Sequence, residues 1–305
     1  MDYYQNIKET FINNEINKRV KNYSINKKEL ESYYNVGKIL FKAGKHYGEG
    51  IIKEYSKKLT KELGKGYTYT SLTRILKFYK LIEKVATMSQ QLEYNIFLTI
   101  NTITWSHYVE LLKINDINKI NYYLQQIDMR NLSVRELRKL IKENEYERLP
   151  ISSKEKLRKN QNLSLIETIK NPILINNTNN IDKIKEKTLQ KLILEDLNNF
   201  LSQLGNGYSY IKNEYKIKIE NNYNYIDILL YNVIYHSYVV IELKVTKLRK
   251  EHIGQIQVYM NYIDENIKGI NDNKTIGLIV VKENNEYIIK YSSDDRIKSI
   301  EYNIV

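Results

Sequence analysis

The hydrophobic periodicity of this 305-residue chain changes near Gly207, and no other feature constrains its fold as strongly. Before Gly207 apolar residues recur at helical spacing, as at Leu30, Tyr33, Gly37 and Leu40. After Gly207 they alternate with polar residues or form short β-branched runs, which is typical of strands. We therefore predict an α+β chain with an all-α N-terminal domain and a C-terminal α/β domain that contains a mixed sheet.

The first half is predicted to contain several amphipathic helices. Their ranges are about 30–41, 49–63, from Thr68 or Thr70 onward, 104–113, 117–127 and 133–144. The second and third are separated by a short turn with Gly64 and Gly66, and Arg74 and Lys77 lie on a basic face of the third. This arrangement is typical of a helix-turn-helix that contacts nucleic acid, although a simple corner of a helix bundle has the same pattern.

The charge of the chain favours a polyanionic partner. Its 48 Lys and Arg against 36 Asp and Glu give a net charge of +12. Residues 1–150 hold 26 basic and 17 acidic residues, a net charge of +9, whereas residues 151–305 hold 22 and 19, a net charge of +3. Nucleic acid is the expected partner of such a field. A compositional bias of the genome explains the same charge equally well.

Other function classes are excluded by composition. The chain has no Cys, which excludes disulfides, Cys zinc sites, iron–sulfur clusters and thiol catalysis. It has no Gly-rich phosphate loop, so no organic cofactor is expected. Its longest apolar runs are far shorter than a bilayer span, and the N-terminus lacks the layout of a secretory signal. We expect a cytoplasmic protein without membrane contact.

The domain boundaries are predicted from composition and period. We expect a helical domain over 1–148, a linker over 149–183 that holds both prolines and an Asn-rich stretch, and a second domain over 184–305. The second domain is predicted to contain, in order, a helix over 184–204, strands over 208–219, 223–231 and 238–245, a helix over 249–263 and a strand over 275–281.

Three charged residues interrupt apolar strands of the second domain. Asp227 lies among apolar residues of one predicted strand, and Glu242 and Lys244 point to the same face of the next. Their burial without partners would cost several kcal/mol each, so they must be paired, solvated at a cleft or bound to a cation. We favour a site for a hard divalent ion such as Mg²⁺ with a lysine beside it. The alternative is a structural ion pair.

The helix that follows adds further candidates. Gln255 and Tyr259 are four residues apart and therefore share a face, where they either contact a phosphate or form a packing edge. Lys247, Arg249 and Lys250 cluster at the start of this helix and are candidates for binding backbone phosphates.

These residues resemble a known family. Asp227, Glu242-Leu243-Lys244 and Gln255 with Tyr259 look like the core of the PD-(D/E)XK nucleases with a trailing Q-x-x-x-Y motif. The chain resembles more closely the YhcG-like family, in which such a domain follows a helical, winged-helix-like domain. Further motifs that carry this resemblance are Gly66-Tyr67-Thr68, Phe78-Tyr79, Trp105-Ser106-His107-Tyr108, Leu132-Ser133-Val134-Arg135-Glu136-Leu137, Ile169-Lys170-Asn171-Pro172 and Ile276-Gly277-Leu278-Ile279.

The resemblance implies a restriction-endonuclease-like fold and roles for individual residues. Asp227, Glu242 and the backbone carbonyl of Leu243 are expected to bind Mg²⁺ or Mn²⁺, and Lys244 to position the attacking water. Gln255 and Tyr259 are assigned to the same active site. Glu195 occupies the place of an acidic residue on the preceding helix, with Asp196, which is adjacent, and Glu186, which is a turn or two away, as alternatives.

The implied function is a Mg²⁺-dependent DNA endonuclease that hydrolyses phosphodiester bonds, and family analogy adds defence against foreign DNA or the handling of mobile elements. A homodimer or higher homo-oligomer is expected if both strands are cut. Two alternatives remain open at this point: a non-catalytic DNA-binding or complex-forming protein with a nuclease fold, and an RNA substrate. The chain departs from the family pattern at Ile226, Glu214 and Lys250, where Pro, Gln and Pro are expected.

Overall fold

The computed structural model describes residues 2–19, 25–48, 50–88, 102–159, 161, 163–177, 184–290 and 294–305. It divides into two compact units, Met1–Tyr146 and Glu147–Val305. Among the described residues, no helix combines the length and apolar character that crossing a bilayer requires.

The first unit is helical, as the 3.6-residue periodicity predicts. Its helices are α1 (Tyr3–Arg19), α2 (Ile25–Tyr47), α3 (Gly50–Leu63), α4 (Tyr69–Met88), α5 (Trp105–Leu111), α6 (Ile117–Arg130) and α7 (Val134–Lys142). Helix α3 begins one residue beyond the predicted Glu49, which lies outside the described residues. Helix α7 begins with a capping box, in which the Ser133 Oγ accepts a hydrogen bond from the Glu136 N–H at 3.3 Å and the Glu136 carboxylate accepts one from the Ser133 N–H at 2.8 Å.

The core of this unit lies between the first four helices. It is formed by the apolar stripes of α1 to α4, with Ile7, Phe11, Val36, Leu40, Ile52, Leu59, Leu72 and Ile75 among its buried residues. Helices α2 and α4 cross at Gly37, where an added Cβ would lie 2.7 Å from the carbonyl oxygen of Ile75. The glycine therefore permits a close approach of two backbones that any larger residue would prevent.

The second unit is built on one mixed sheet of six strands. Its elements are α8 (Ile151–Arg158), α9 (Leu165–Thr168), β1 (Ile173–Ile175), α10 (Glu186–Glu195), α11 (Leu197–Leu204), β2 (Tyr208–Ile219), β3 (Asn222–Asn232), β4 (Ser237–Lys247), α12 (Lys250–Asn266), β5 (Asn273–Glu283), α13 (Glu286–Lys290) and β6 (Ile297–Ile304). The strand order is β1-β6-β5-β4-β3-β2. Strands β2, β3 and β4 pair antiparallel, whereas β4, β5, β6 and β1 pair parallel.

Helices cover both faces of this sheet. One face packs against α10 and α11, with Leu189, Leu192 and Phe200 in its core. The other packs against α12 through Ile256, Met260 and Ile263. The predicted α+β architecture, with a helical domain followed by an α/β domain, is therefore confirmed.

The segment predicted as a linker is largely structured. Helices α8 and α9 lie within 149–183, and the short strand β1 pairs in parallel with β6; residues 178–183 lie outside the described residues. Composition does not reveal this structure, because β1 has only three residues and gains its stability from a partner strand at the far end of the chain. The helix predicted over 184–204 divides at Asp196 into α10 and α11.

Candidate active site

Strands β3 and β4 separate at the position of the predicted carboxylates. The two strands pair from Asn232 opposite Ser237 to Ile228 opposite Ile241. The next residues along the strands are Asp227 and Glu242. Beyond this point β3 pairs only with β2, while β4 continues beside β5. This strand fork opens the sheet between the two acidic residues, which sequence alternation alone does not reveal.

Glu242 is the most buried charged group of the fork. The residue is 2% exposed, and no residue that the structure describes donates a hydrogen bond to its buried Oε1 atom. Burial, reinforced by the neighbouring Asp227 carboxylate, raises the pKa of Glu242 to about 8. A buried carboxylate oxygen without a donor is costly in the metal-free protein and is suited to a cation.

Two hydrogen bonds hold Asp227, one to its side chain and one to its backbone carbonyl. Its Oδ2 atom accepts a hydrogen bond from the Leu243 N–H at 2.8 Å. Its carbonyl oxygen accepts one from the Gln190 side-chain amide of α10 at 3.0 Å. Burial raises the pKa of the Asp227 carboxyl, and the Leu243 N–H and Lys244 oppose this shift. The Leu243 side chain is buried in the core, so this residue can contribute only its backbone to the site.

Lys244 completes the cluster on β4. Its Nζ lies 3.3 Å from Glu242 Oε2 and 3.9 Å from Glu186 Oε2. Burial lowers the pKa of the ammonium, but the carboxylates of Glu242, Glu186 and Asp227 outweigh burial and raise it. The lysine is therefore charged at neutral pH and is held at the fork by acidic neighbours.

The acidic residue of the preceding helix that reaches this site is Glu186. Glu186 begins α10 and approaches Lys244, whereas Glu195 ends the same helix and lies near Lys191, with the charged atoms 3.7 Å apart. The two residues are nine positions apart, which corresponds to about 13 Å along the helix axis. The geometry therefore favours Glu186 over the predicted Glu195 for this position. The family resemblance implies Glu195, but the sequence carries no information on which end of this helix faces the sheet.

Gln255 and Tyr259 meet on α12 as their spacing predicts. The Gln255 side-chain amide donates a hydrogen bond to the Tyr259 hydroxyl at 3.1 Å. Burial raises the pKa of Tyr259, and the carboxylates of Glu242 and Asp227 add to this effect. The tyrosine is thus within electrostatic range of the fork.

Two further residues surround Asp227 and are not predicted as site residues. Glu214 lies between the paired positions Asn213 and Tyr215 of β2, opposite Asp227, with a positive φ of 47°. Its negative charge contributes to the raised pKa of the Asp227 carboxyl. Gln190 contacts the backbone of Asp227. Neither has a motif signal of its own, apart from the unexpected Glu at 214.

The predicted phosphate contacts lie on the protein surface. Arg249 and Lys250 are exposed at the start of α12, and Lys247 forms an ion pair with Glu283. In the helical unit, Arg74 and Lys77 are exposed on α4. Arg74 also lines a cavity of about 120 Å³ together with Tyr33, Tyr67 and Trp105.

The residues of the fork fit a divalent cation in a specific way. Within the ranges that the structure describes, no group of three or more His, Cys, Asp and Glu side chains could hold a metal ion. The fork offers two carboxylates, one of them with an unpartnered buried oxygen. Mg²⁺ commonly binds proteins through one or two carboxylates and retains water or substrate phosphate oxygens as its other ligands.

Both parts of the chain match known protein families. Residues 166–303 match the YhcG PDDEXK nuclease domain family, and residues 9–148 match the DUF1016 N-terminal domain family. The chain is 23% identical over 293 residues to a protein of Escherichia coli (strain K12) named "Putative nuclease YhcG", a match that covers 85% of this chain and 78% of that protein.

Two solved structures are also similar in part. A repair endonuclease from Pyrococcus abyssi is 17% identical and matches 41% of this chain and 48% of its own, with a TM-score of 0.28. A structure described as the EndoMS-dsDNA2 complex is 15% identical and matches 42% of this chain and 48% of its own, also with a TM-score of 0.28. The chain therefore spans about half the length of these solved chains. The two family models thus match the two parts of the chain in the order that its sequence motifs indicate, a helical domain followed by a nuclease domain.

Proposed function

We propose that this protein is a metal-dependent DNA endonuclease whose active site is the strand fork. The observation that carries the proposal is the juxtaposition of Asp227 and Glu242 at the fork, with a buried Glu242 oxygen that has no donor among the described residues. The match of residues 166–303 to a nuclease domain family supports the same reaction.

Asp227, Glu242 and the Leu243 backbone carbonyl would hold one Mg²⁺ or Mn²⁺ ion. Such an ion polarises a phosphate oxygen and lowers the pKa of a bound water. Lys244 would donate a hydrogen bond to the attacking water and stabilise the negative charge that grows on the phosphate. Glu242 and Glu186 hold the Lys244 ammonium in position through contacts of 3.3 and 3.9 Å.

Glu186, Gln255 and Tyr259 are proposed to act around this centre. Glu186 orients Lys244 from α10. The hydrogen bond from Gln255 fixes the Tyr259 hydroxyl, which can then contact a non-bridging phosphate oxygen. Arg249 and Lys250 are exposed at the start of the same helix and are proposed to bind the flanking backbone phosphates.

The helical unit is proposed to bind DNA through the exposed face of α4. Arg74 and Lys77 carry this proposal because both are solvent-exposed and one turn apart. Their replacement by Ala should weaken duplex binding at every sequence. The salt dependence of the affinity should fall by about one ion for each phosphate that the variant no longer binds. An unchanged salt dependence would contradict this role.

Cleavage of both strands requires two such centres, so we further propose a homodimer on DNA, which sedimentation of the protein–DNA complex tests.

The direct test is a cleavage assay with supercoiled, linear, branched and single-stranded DNA, with and without Mg²⁺ or Mn²⁺. We expect cleavage that requires the metal and that is abolished in Glu242→Ala and Asp227→Asn. A Glu242→Ala protein that cuts DNA as fast as the unmodified protein would refute the proposed function. Metal-independent binding with no cleavage of any DNA would favour a non-catalytic role, and cleavage of RNA alone would change the substrate.

A further inference from the structure

The hairpin of β2 and β3 has one face that is exposed and rich in tyrosine and lysine. Tyr225 pairs with Lys216 and Tyr223 with Lys218 across the two strands. Directly paired residues share a face, and residues two apart on a strand share it as well. These four side chains therefore lie together, and we call them the Tyr–Lys face.

The Tyr–Lys face is not a core surface. The opposite face of the hairpin carries the buried residues Ile217 and Ile226, which pack into the core beneath α12. Tyr223 is 57% exposed and Tyr225 is 52% exposed, and both lysines are exposed. What distinguishes these two rings from singly exposed tyrosines is that they are neighbours on one face of one strand.

The rings and the ammonium groups of this face are arranged together. The Lys216 Nζ lies 3.6 Å from the centroid of the Tyr223 ring, a cation–π contact that orders both side chains at the surface. The face thus offers two flat rings about 7 Å apart along one strand, with a positive charge opposite each of them.

Strand β3 leads directly from this face to the active site. Asp227 follows Tyr225 by two residues on the same strand, which corresponds to about 7 Å. A ligand that lies along the Tyr–Lys face therefore reaches the end of the β3–β4 pairing at which the strand fork opens. The lysines suit phosphates, and the rings suit bases whose faces are available. In a duplex those faces are covered by neighbouring base pairs, whereas in a single strand they are free.

We propose that the Tyr–Lys face binds a single strand of DNA and guides it to the strand fork. Tyr223 and Tyr225 stack on successive bases, and Lys216 and Lys218 contact the backbone phosphates. The destination of the strand rests on the nuclease function proposed above, whereas the binding itself does not. The substrate class that follows is DNA with a single-stranded segment next to the scissile phosphate, as in a flap, a fork or a frayed end.

The test measures binding and cleavage separately. Binding of labelled oligothymidylate and of a duplex of the same length is followed by fluorescence anisotropy in EDTA, with the full chain. The Tyr223→Ala/Tyr225→Ala variant should bind the single strand at least about fivefold more weakly, with its duplex affinity unchanged. The Tyr223→Phe/Tyr225→Phe variant should retain the affinity because it keeps both rings. The matched control is Tyr287→Ala, which removes a 76% exposed tyrosine outside this hairpin.

A charge variant provides an independent measurement. Lys218→Gln should reduce the salt dependence of single-strand binding by about 0.7 in the logarithmic slope. Equal single-strand affinity of the double Ala variant and the unmodified protein would overturn the inference. The same holds if the oligomeric state of the variant changes while its affinity for the single strand does not. Cleavage of single-stranded DNA by the double Ala variant at the original rate would also overturn it and leave the nuclease intact. Single-strand binding through these rings without any cleavage would support the inference and contradict the proposed nuclease.

Discussion

Asp227 and Glu242 are the first residues beyond the last paired positions of β3 and β4, Ile228 and Ile241. Each of the two strands keeps its other partner at this point, since Glu242 still pairs with Ile279 of β5 and Tyr225 with Lys216 of β2. The fork is thus an opening within a continuous sheet. The two carboxylates thus lie on neighbouring strands at the point where the sheet opens.

The titration of Glu242 should be visible in the stability of the metal-free protein. Its pKa is raised to about 8 in the folded state, so the free energy of unfolding is greatest below the unfolded pKa of about 4.5. This contribution is lost as the pH rises through about 8, because ionisation then leaves a buried charge beside Asp227. We expect the melting temperature in EDTA to fall from pH 5 to pH 8, as followed by circular dichroism.

The Glu242→Gln variant is the control for this pH dependence. Its side chain has nearly the same shape but does not ionise, so its melting temperature should fall less over the same range. Added Mn²⁺ should restore the stability of the unmodified protein at pH 8 and leave the variant unaffected. Identical pH profiles of the two proteins would show that the Glu242 carboxyl does not have a raised pKa.

Lys244 is expected to act in the chemical step. Lys244→Gln should lower the cleavage rate by about 100- to 1,000-fold, because the variant lacks a charged donor to the attacking water and the phosphate. DNA affinity should change little. Lys274→Gln is a matched control. Lys274 is exposed near the start of β5, whereas the residues of β5 that pair with β4 near the fork lie farther along the strand. A Lys244→Gln protein with normal single-turnover rates would exclude this role.

The two ends of α10 can be distinguished by a pair of equivalent substitutions. Glu186→Gln removes the carboxylate near Lys244 and should lower the cleavage rate about tenfold or more by loosening the ammonium. Glu195→Gln is the same chemical change about 13 Å away along the helix and should have little effect. If Glu195→Gln slowed cleavage and Glu186→Gln did not, Glu195 would be the acidic residue of the active site, as the family resemblance implies.

The sequence identifies the chemistry of the site better than its surroundings. Asp227, Glu242 and Lys244 are recognisable because charges within apolar strands are rare and need a reason. The strand fork is not predictable, since pairing partners and the point at which they separate depend on contacts between distant segments. Glu186 cannot be chosen over Glu195 for the same reason, because helical periodicity defines α10 but not which of its ends faces β4.

The prediction of the fold is likewise reliable for local features and not for contacts between distant segments. The amphipathic helices α2 to α7 and the strands β2 to β5 are predicted from local periodicity. Strand β1 is not predicted, because its three residues, Ile173–Ile175, carry too little periodicity to be recognised. Its partner strand β6 is not predicted either. Their pairing joins segments that are more than a hundred residues apart in the chain.

Gly277 tests the packing that supports the site. An added Cβ at Gly277 would lie 2.5 Å from the Met260 Sδ, so Gly277→Ala should destabilise the protein by about 1–3 kcal/mol. Gly254 lies on the exposed side of α12 with nothing within 4 Å of an added Cβ, and Gly254→Ala should stabilise by up to about 1 kcal/mol through helix propensity. Urea unfolding of both variants measures the difference. Equal stabilities would mean that α12 does not pack on β5 at Gly277.

Calorimetric titration of the protein with Mn²⁺ shows whether Asp227 and Glu242 bind one divalent ion together, on which the proposed chemistry depends. We predict one site per chain in the unmodified protein. That site should be absent in both Asp227→Asn and Glu242→Gln and retained in Glu195→Gln. Undiminished Mn²⁺ binding in either of the first two variants, or no binding to the unmodified protein with and without DNA, would contradict a shared metal site at the fork.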